Sequence, residues 1–422
     1  MTKLTSRLAR VCRATFLFCT LLISPAFAQT TKESSPQIRQ KTFDVVWDAI
    51  NENFFDAQFC GVDWVKMREK YSPQVANLKT DDELYELLNK MLGELHVSHV
   101  GVFRIETASK FFKVPEATTG FVVKDVEKQV VIRRILKGSS AAKAGLRVGF
   151  IIKKVDDETV SNSLEASYRL AGDQKQYRIA FLDGHDMLKE TVFRMQPLPP
   201  ENLGKTEDSE FSDWGTLIEA ERLAEGIGYI HFTNFYPGLN EKLRSAVKSM
   251  KNAPGIILDL RGNGGGGDDV ALRLAGLLLN KKTLLAISKT RQGDRFSYVA
   301  EPVNDPYLGP VVVLVDEDSY SQAEQISASL QDIGRAVVIG KRTPGKDMDG
   351  VLMELPTGAG LMYPVGQPRT PKGIIVEGRG VIPDIEVSLT RADLLRGKDS
   401  QLEAAIEYIK NIRKTGKAKS NR

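Results

Sequence analysis

Cysteine is scarce in this sequence, with three residues in 422. Cys12 and Cys19 lie in an N-terminal stretch that begins with basic residues, continues as the apolar run TFLFCTLLI and ends in the Ala-x-Ala pattern AFA. This order is typical of a secretory signal peptide, which we predict over residues 1–28. Its removal leaves only Cys60, and a single thiol excludes an internal disulfide. The mature fold therefore depends on its hydrophobic core.

Long apolar runs and net charge are also lacking. The apolar run of the signal peptide is too short to span a bilayer, and no other stretch approaches its length without charges, so we predict no stable membrane insertion. The chain carries a formal charge of +4, and four basic residues leave with the signal peptide, so the mature chain is formally neutral. Neutrality gives no reason to expect a nucleic-acid partner. We expect export across the inner membrane to the periplasm or the extracellular space.

The mature chain begins with a helical pattern. Apolar residues between Phe43 and Ile50 recur at i, i+3, i+4 and i+7, which is the spacing of one helical face. A second amphipathic run, DDELYELLNKMLGEL, begins after Thr80, a suitable N-cap because acidic residues follow it. We therefore predict a helical region over residues 38–110.

Residues 115–196 change to a β pattern. The segments GFVVKDVEKQVVIRRIL and YRIAFLDGHDMLKETVFRM alternate apolar and polar residues, and the second turns at the Asp-Gly that precedes His185, which places this histidine on the surface. Together with GSSAAKAGLRVGFIIKKVDDETV they resemble a PDZ domain of the kind found in bacterial proteases. The resemblance implies capture of a carboxy-terminal peptide as an added strand, with Gly120 and Phe121 in the carboxylate-binding loop. The alternative is a small β domain used as a spacer.

Beyond a predicted linker at residues 197–225, buried strands alternate with helices. Short apolar strands are indicated by GIGYIHF, GIILDL, PVVVLV and RAVVIG, and each of the first three is followed by a helical pattern. This order predicts an α/β domain with a mostly parallel sheet over residues 226–390. Residues 391–422 add a C-terminal helix and a basic tail.

Three loops follow the carboxyl ends of these strands, where open α/β sheets bind their ligands. The first, DLRGNGGGGDD, has four successive glycines, whose backbone can approach a substrate closely. It lacks the Gly-Lys-Ser/Thr ending of a phosphate loop and the spacing of a dinucleotide site. An oxyanion hole therefore fits this loop better.

The second and third loops offer a nucleophile and a base. Ser321 stands in DEDSYSQAEQ at a strand-to-helix turn, where a serine is exposed and the helix N-terminus favours negative charge. Taken alone, this motif is better explained as a helix cap, because Ser321 and Glu324 form a Ser-x-x-Glu capping box. In the third loop, GKRTPGKDMDG, Lys346 could be a desolvated base or merely an exposed lysine.

Four motifs follow one another along the chain: GYIHFTNF, GIILDLRGNGGG, VVVLVDEDSYSQAEQISASLQDIGRAVVIGKRTPGK and GRGVIPDIEV. In this order, downstream of a PDZ-like segment, they resemble the tail-specific, or carboxy-terminal processing, serine peptidases of family S41 from about residue 40 to 390. The resemblance implies a cofactor-independent endopeptidase with a crotonase-like (ClpP/crotonase-type) α/β core, Ser321 as nucleophile, and polypeptides with accessible carboxyl termini as partners. It implies an oxyanion hole made by a backbone N–H at Gly265, give or take one residue, and by that of Gln322.

The resemblance leaves two candidates for the general base open, and the first is a lysine. In the best-known branch of the family a lysine is the base, and Lys346 stands in the matching position. That branch has a glutamine that orients the lysine, where this chain has Gly350. Asp347 directly follows the lysine, and a neighbouring carboxylate favours the protonated form of an amine.

The second candidate is a histidine. In the branch of the tricorn protease core, a Ser-His pair and a glutamate complete a tetrad with the nucleophile, and Ser98, His99 and Glu377 match those positions. The resemblance implies that His99 takes the proton of Ser321 and returns it to the leaving amine, while the other two residues fix its tautomer. An imidazole pKa near 6.5 suits this role at neutral pH. We favour the tetrad over the lysine dyad.

The other histidines have structural interpretations. His96 and His99 form a His-x-x-His pair that could bind a metal, but the spacing lacks the glutamate of a zinc protease helix, and neither His185 nor His231 lies where a third ligand is expected. We therefore predict no metal site. His96 is expected to pack or hydrogen-bond near a helix end, and His231 is expected in a sheet.

Two other functions compete with a peptidase. One is a non-catalytic relative that binds peptides or apolar ligands, and the other is a serine acyl hydrolase acting on esters or cell-wall peptides. The presence of Ser321 and of the glycine loop favours an enzyme over a binding protein. The PDZ-like segment favours polypeptide ends over other acyl substrates.

Overall fold

The computed structural model describes residues 33–104, 117–136, 138–170, 176–197, 203–204 and 216–415. The predicted signal peptide and residues 416–422 of the basic tail lie outside the described residues. Among the residues described, no helix combines the length and the apolar character that a membrane crossing requires. The chain forms two compact units, of which the first comprises Met1–Phe111, Ser288–Phe296 and Lys346–Pro368. The second comprises Phe112–Ile287, Ser297–Gly345 and Arg369–Arg422.

Three α-helices open the first unit: Pro36–Asn53, Trp64–Val75 and Asp81–Gly93. Thr80 caps the third helix and forms a capping box with Glu83, as its place in the sequence predicts. The predicted apolar face of the first helix is buried. The indoles of Trp47 and Trp64 stack with their ring centroids 6.4 Å apart, and each indole N–H donates to the main-chain carbonyl of the other residue. The predicted helices are thus confirmed.

A five-stranded sheet combines strands that are far apart in the sequence. Its order is Gly101–Arg104, Ala359–Arg369, Thr283–Thr290 and Gly293–Ala300, with Asp349–Glu354 also paired to the long strand. The first strand runs antiparallel to its partner, so that Val102 lies opposite Leu361. The sequence did not predict this sheet, because its strands come from segments that had been assigned to two different domains.

Residues 117–197 form a domain of the second unit that we call the β domain. Its antiparallel sheet has the order Phe121–Val126, Gln129–Ile135, Ile151–Val155, Gln176–Leu182 and Leu188–Arg194, with Glu158–Thr159 paired to the third of these. Two helices complete the domain, Ser140–Lys143 and Ser163–Leu170, and Ala117–Thr118 pairs with Gln196–Pro197. The predicted hairpin is confirmed, and His185 is exposed in its turn. The PDZ identity of the domain stays a prediction.

The predicted linker is wrong where it contains strands, the short Leu203–Gly204 and the longer Thr216–Arg222. Thr216–Arg222 is a strand that pairs antiparallel with Gly228–Phe232, and the buried Ile218 lies opposite Phe232. Ile218 is buried, Glu219 is half-buried, and Ala220, Glu221 and Arg222 are exposed. The segment therefore looks polar in the sequence although it forms part of the sheet.

A seven-stranded sheet forms the rest of the second unit, in the order Leu203–Gly204, Thr216–Arg222, Gly228–Phe232, Ile256–Asp259, Val311–Val315, Val337–Gly340 and Ile385–Glu386. From the third strand onward all neighbours are parallel. The helices of this region are Asn240–Ser249, Asp268–Gly276, Gln322–Asp332, Arg391–Leu395 and Ser400–Thr415. Ile256 belongs to a hydrophobic core that includes residues of the first three helices, whereas Ile257 belongs to another that includes Ile409 of the last, so both faces of the sheet are covered. The predicted α/β fold is confirmed.

Candidate active site

Ser321 lies at the turn between strand Val311–Val315 and helix Gln322–Asp332. Its backbone has φ 52° and ψ −121°, a conformation that costs roughly 1–3 kcal/mol in a residue with a side chain. Such strain persists only where the surrounding structure holds it, and it clusters at functional sites. The strained, half-buried serine is therefore in the position that the sequence predicts for a nucleophile.

The glycine loop packs against Ser321. Gly265 has φ 85°, and a Cβ at this position would lie 2.7 Å from the Ser321 Cβ and 3.1 Å from the Gln322 nitrogen. No side chain fits into this gap, so both the conformation and the space require glycine. The structure thus brings together three of the predicted site residues.

The N–H groups beside Ser321 differ in what they bind. The Gly265 N–H donates to the Asn263 Oδ1 at 2.9 Å, so this donor is already occupied. Within the described residues, neither the Gly266 N–H nor the Gln322 N–H makes a hydrogen bond. The resemblance implies an oxyanion-hole N–H at Gly265, give or take one residue. The N–H in this range that has no acceptor is that of the neighbouring Gly266.

Asn263 is a positioning residue that the sequence analysis missed. It is fully buried. Its Nδ2 donates to the Phe232 carbonyl at 2.8 Å, and its own carbonyl accepts from the Tyr320 N–H at 2.9 Å. With the bond to Gly265, one asparagine joins a strand, the glycine loop and the nucleophile turn. Its position between two glycines in a loop, where a side chain can bond to nearby backbone, was the available signal.

A buried ion pair anchors the start of the glycine loop. The guanidinium of Arg261 donates to both carboxylate oxygens of Asp259, at 2.8 and 2.6 Å, and to Asp399 at 2.8 Å. Although burial opposes ionisation, Arg261 holds the pKa of Asp259 well below its usual range. The bidentate pair with Asp259 and the further bond to Asp399 fix the direction in which the glycine loop leaves its strand.

Glu324 connects the nucleophile helix to the third loop. Its carboxylate is fully buried and accepts from the Ser321 N–H at 3.3 Å, which is the backbone half of the predicted capping box. The other oxygen accepts from the Thr343 hydroxyl and from the Gly345 N–H at 2.7 Å. The Gly345 carbonyl in turn accepts from the Gly378 N–H at 2.8 Å, beside Glu377. The helix-cap interpretation of Ser321 and its role in a site are thus compatible.

Ser98 and His99 form a hydrogen-bonded pair in the first unit. The Ser98 Oγ is 2.7 Å from the His99 Nδ1, and the imidazole is half-buried. His99 has φ 56°, and strand Gly101–Arg104 begins two residues later. The Asn89 Nδ2 of the preceding helix donates to the Val102 carbonyl at 2.9 Å, and the Val102 N–H donates to the Asn89 Oδ1 at 2.7 Å. These two bonds attach the start of the strand to the helix. The predicted Ser-His pair is therefore formed.

Gly350 lies against the His99 ring. A Cβ at Gly350 would be 3.4 Å from the His99 Cβ and 3.4 Å from its Cδ2. A side chain at the position where the lysine branch carries an orienting glutamine would therefore contact the imidazole. This contact favours a site arranged around His99.

Lys346 and Glu377 have contrasting surroundings. Lys346 is exposed, and the next residue, Asp347, is buried. A lysine that acts as a base depends on desolvation or on a cationic neighbour, and an exposed ammonium lacks the first of these. Glu377 is half-buried and follows the fully buried Val376. Lys346 belongs to the first unit with His99, and Glu377 to the second with Ser321.

The remaining histidines have the structural environments expected of them. His96 is exposed, and its N–H bonds to the Gly93 carbonyl at the end of a helix. His231 is buried in a strand, and burial lowers its pKa to about 4. Within the described ranges, no three His, Cys, Asp or Glu side chains lie close enough together to hold a metal ion.

The predicted peptide-binding residues lie at one edge of the β domain. Phe121 begins the edge strand, which contacts helix Ser163–Leu170. Gly120 has φ 78°, and a Cβ there would be 2.4 Å from the Ser139 Cβ, so only glycine fits. Within the described residues this strand pairs on one side only. Such an edge can accept a further strand.

Two family models match the chain. Residues 226–387 match peptidase family S41, and residues 35–93 match the tricorn protease C1 domain. A carboxyl-terminal-processing protease of Synechocystis sp. is 27% identical over 388 residues, which cover 88% of this chain and 86% of that protein. The two matched segments contain, respectively, the nucleophile turn and the helices that precede the Ser-His pair.

Solved structures share the fold. The photosystem II D1 C-terminal processing protease has a TM-score of 0.58 and 23% identity, covering 88% of this chain and 97% of that one. The tricorn protease has a TM-score of 0.52 and 22% identity, covering 90% of this chain and 37% of that one.

Proposed function

Because this chain belongs to peptidase family S41 and is a serine-type peptidase, we propose that it is an exported endopeptidase of the carboxy-terminal processing type, with Ser321 as its nucleophile. The observation that carries the proposal is the strained Ser321, held in contact with the glycine loop. Export is supported by the basic and apolar N-terminal pattern that ends in Ala-x-Ala.

The proposed reaction begins when the Ser321 Oγ attacks the scissile carbonyl carbon and its proton passes to the base. The N–H groups of Gly266 and Gln322 then bind the oxyanion, as donors aimed at developing charge do in acyl transfer. Collapse of the intermediate breaks the C–N bond, and the amine leaves with the proton from the base. Water then hydrolyses the acyl-enzyme ester and regenerates Ser321.

We propose His99 as the base, oriented by Ser98 and supported by Glu377. An imidazole accepts a proton at Nε2 only in the tautomer that carries its hydrogen on Nδ1. The 2.7 Å contact suits that tautomer when the Ser98 Oγ accepts a hydrogen bond from Nδ1. The Ser98 hydroxyl would then donate its own hydrogen bond to a carboxylate, for which Glu377 is the candidate. Lys346 remains the alternative base, and its exposure counts against it.

The proposed substrate is an unstructured polypeptide with a free carboxyl terminus. The edge strand of the β domain would add the carboxy-terminal segment to its sheet, with Gly120 and Phe121 beside the carboxylate. Helix Ser163–Leu170, next to this strand, exposes Leu164 and Tyr168. These apolar side chains would contact the bound segment.

An active-site serine probe tests the proposed nucleophile. We expect a fluorophosphonate to label the wild-type chain and Ser161→Ala, which removes an exposed serine of the β domain, but not Ser321→Ala. Absence of labelling in the wild type, or equal labelling of Ser321→Ala, would contradict the proposal and favour a binding protein.

The proposed specificity has a separate test. An unfolded reporter protein should be cleaved faster with a free carboxyl terminus than with the same terminus amidated, because amidation removes the charge that the carboxylate-binding loop would recognise. Equal rates for both reporters would contradict carboxy-terminal recognition while leaving the peptidase activity in place.

A further inference from the structure

A lysine of the β domain reaches the turn that precedes Ser321. Lys124 lies on the edge strand, and its side chain is only 9% exposed. Its Nζ is 2.7 Å from a carboxylate oxygen of Asp318 and 3.0 Å from one of Asp316 and from one of Glu317. Three successive acidic residues thus meet one buried cation, and the nucleophile follows three positions later.

Asp316 connects Lys124 to the glycine loop and to the turn that carries Ser321. Its side chain is 1% exposed, and one oxygen pairs with Lys124. The other oxygen accepts from the Gly262 N–H and from the Asp318 N–H, each at 3.0 Å. The Asp316 N–H donates to the Ser319 Oγ at 2.9 Å, which tightens the same turn. One carboxylate therefore contacts the β domain, the glycine loop and the nucleophile turn.

The charges of this cluster depend on one another. Although burial opposes ionisation, Lys124 holds the pKa of Asp316 below its usual value. Burial likewise opposes the charge of Lys124, but Asp316 and Asp318 hold its pKa above the usual value. Removal of one partner from a buried pair leaves the other charge uncompensated, which is strongly destabilising to the local arrangement.

We propose that Lys124 is a positioning residue of the peptidase, which holds the nucleophile turn and the glycine loop through Asp316 in the geometry needed for acylation. The inference rests on the proposed role of Ser321. It assigns to the β domain a part in building the catalytic geometry, in addition to its proposed capture of the substrate.

The alternative is that Lys124 only attaches the β domain, and the chain offers a matched control for this. Arg391 donates to the Gly149 and Asp183 carbonyls, at 3.0 and 2.8 Å, and pairs with Asp186 at 2.7 Å. These three acceptors belong to the β domain and are remote in sequence from the edge strand. Arg391→Met therefore loosens the attachment without removing a contact of the nucleophile turn.

The test compares the rate constant for labelling of Ser321 by a fluorophosphonate in the full mature chain. This probe is small and does not need capture by the β domain, so the rate reports the geometry at the nucleophile. We expect Lys124→Met to lower the rate about tenfold or more, since small misplacements of reacting groups are costly. Lys124→Arg should recover most of the rate, and Arg391→Met should leave it unchanged. On a peptide substrate, Lys124→Met should lower kcat and leave KM unchanged.

The outcomes separate the possible explanations. Equal losses in Lys124→Met and Arg391→Met would show attachment only and overturn the inference, as would unchanged labelling of Lys124→Met. An unlabelled wild type would overturn the proposed nucleophile itself, and the inference with it. Should Lys124→Met not fold, Asp316→Asn carries the test, because it weakens the ion pair through which the inference acts and leaves Lys124 its pairs with Glu317 and Asp318. We expect slower labelling of Asp316→Asn, and an unchanged rate would overturn the inference.

Discussion

Two regions of this molecule are built in different ways: the nucleophile region, which is Ser321 with the glycine loop, and the base region, which is Ser98 with His99. Around Ser321, buried side chains such as Asn263 and Glu324 hold backbone groups in place, and the gap at Gly265 leaves no room for a side chain. At His99, the imidazole Nδ1 is paired with a side chain, the hydroxyl of Ser98 at 2.7 Å. A region made from closely packed backbone has no room for added atoms, whereas a side-chain pair tolerates any replacement that keeps the hydrogen bond. The two regions should therefore respond differently to small substitutions.

The largest effect is expected in the nucleophile region. Gly265→Ala adds a methyl group within 2.7 Å of the Ser321 Cβ. The loop must move, and the oxyanion donors move with it, so we expect a loss of about 10²- to 10³-fold in kcat. Steady-state cleavage of an unfolded protein measures the change.

Gly262→Ala is the matched control in the same loop. Gly262 has φ 71°, so alanine is strained there as well, but nothing lies within 4 Å of its added Cβ. We expect this variant to lose stability and to keep most of its kcat. Equal losses of kcat in the two variants would break the comparison, because backbone strain alone would then explain both.

A smaller effect is expected in the base region. Ser98→Ala removes the hydroxyl that lies 2.7 Å from the His99 Nδ1, and with it the bias of the imidazole toward the tautomer that can accept a proton at Nε2. We expect a loss of about ten- to a hundredfold in kcat, less than that of a variant that enforces the wrong tautomer. Ser98→Thr keeps the hydroxyl and should recover most of the rate. A Ser98→Thr variant as slow as Ser98→Ala would indicate that packing, and not the hydrogen bond, is what matters.

The last effect is on stability and not on rate. Burial lowers the pKa of His231 to about 4, below the value near 6.5 of an unfolded chain. Between these two pH values the unfolded chain therefore binds more protons than the folded chain. The contribution of His231 to the free energy of unfolding is fully present above about pH 6.5 and is lost as the pH is lowered toward 4. The loss is at most about 3 kcal/mol.

Denaturant titrations of His231→Asn and His185→Gln at several pH values measure this contribution. We expect His231→Asn to flatten the change between pH 4 and 6.5, whereas His185→Gln, on the surface of the β domain, should follow the wild type. Parallel curves for His231→Asn and the wild type would contradict a lowered pKa of the buried His231.

The sequence predicted the nucleophile region well because its parts are local. The turn of Ser321 and the run of glycines each lie within about ten residues, and strand periodicity predicts that both loops leave the same edge of a parallel sheet. The N–H that is left without an acceptor is that of Gly266, one residue from the Gly265 that the sequence indicates, because the Asn263 side chain binds the Gly265 N–H and a run of glycines gives no sign of this bond.

The sequence predicted less of what joins distant segments. Lys124 occupies an alternating strand and reads as a solvated position, yet three acids nearly two hundred residues later enclose it. The strand Thr216–Arg222 resembles a linker in sequence because several of its residues are polar, although it pairs with Gly228–Phe232. In both cases the decisive interaction is tertiary, and local composition gives no sign of it.

The central claim is that His99, and not Lys346, deprotonates Ser321. The direct measurement is the kcat of His99→Ala and of Lys346→Ala on the same unfolded protein, with far-ultraviolet circular dichroism to verify folding. We expect a loss of about 10²-fold or more in His99→Ala, the range of general-base catalysis, and a loss of less than about tenfold in Lys346→Ala. Retained activity in His99→Ala together with loss in Lys346→Ala would contradict the claim and establish the lysine dyad.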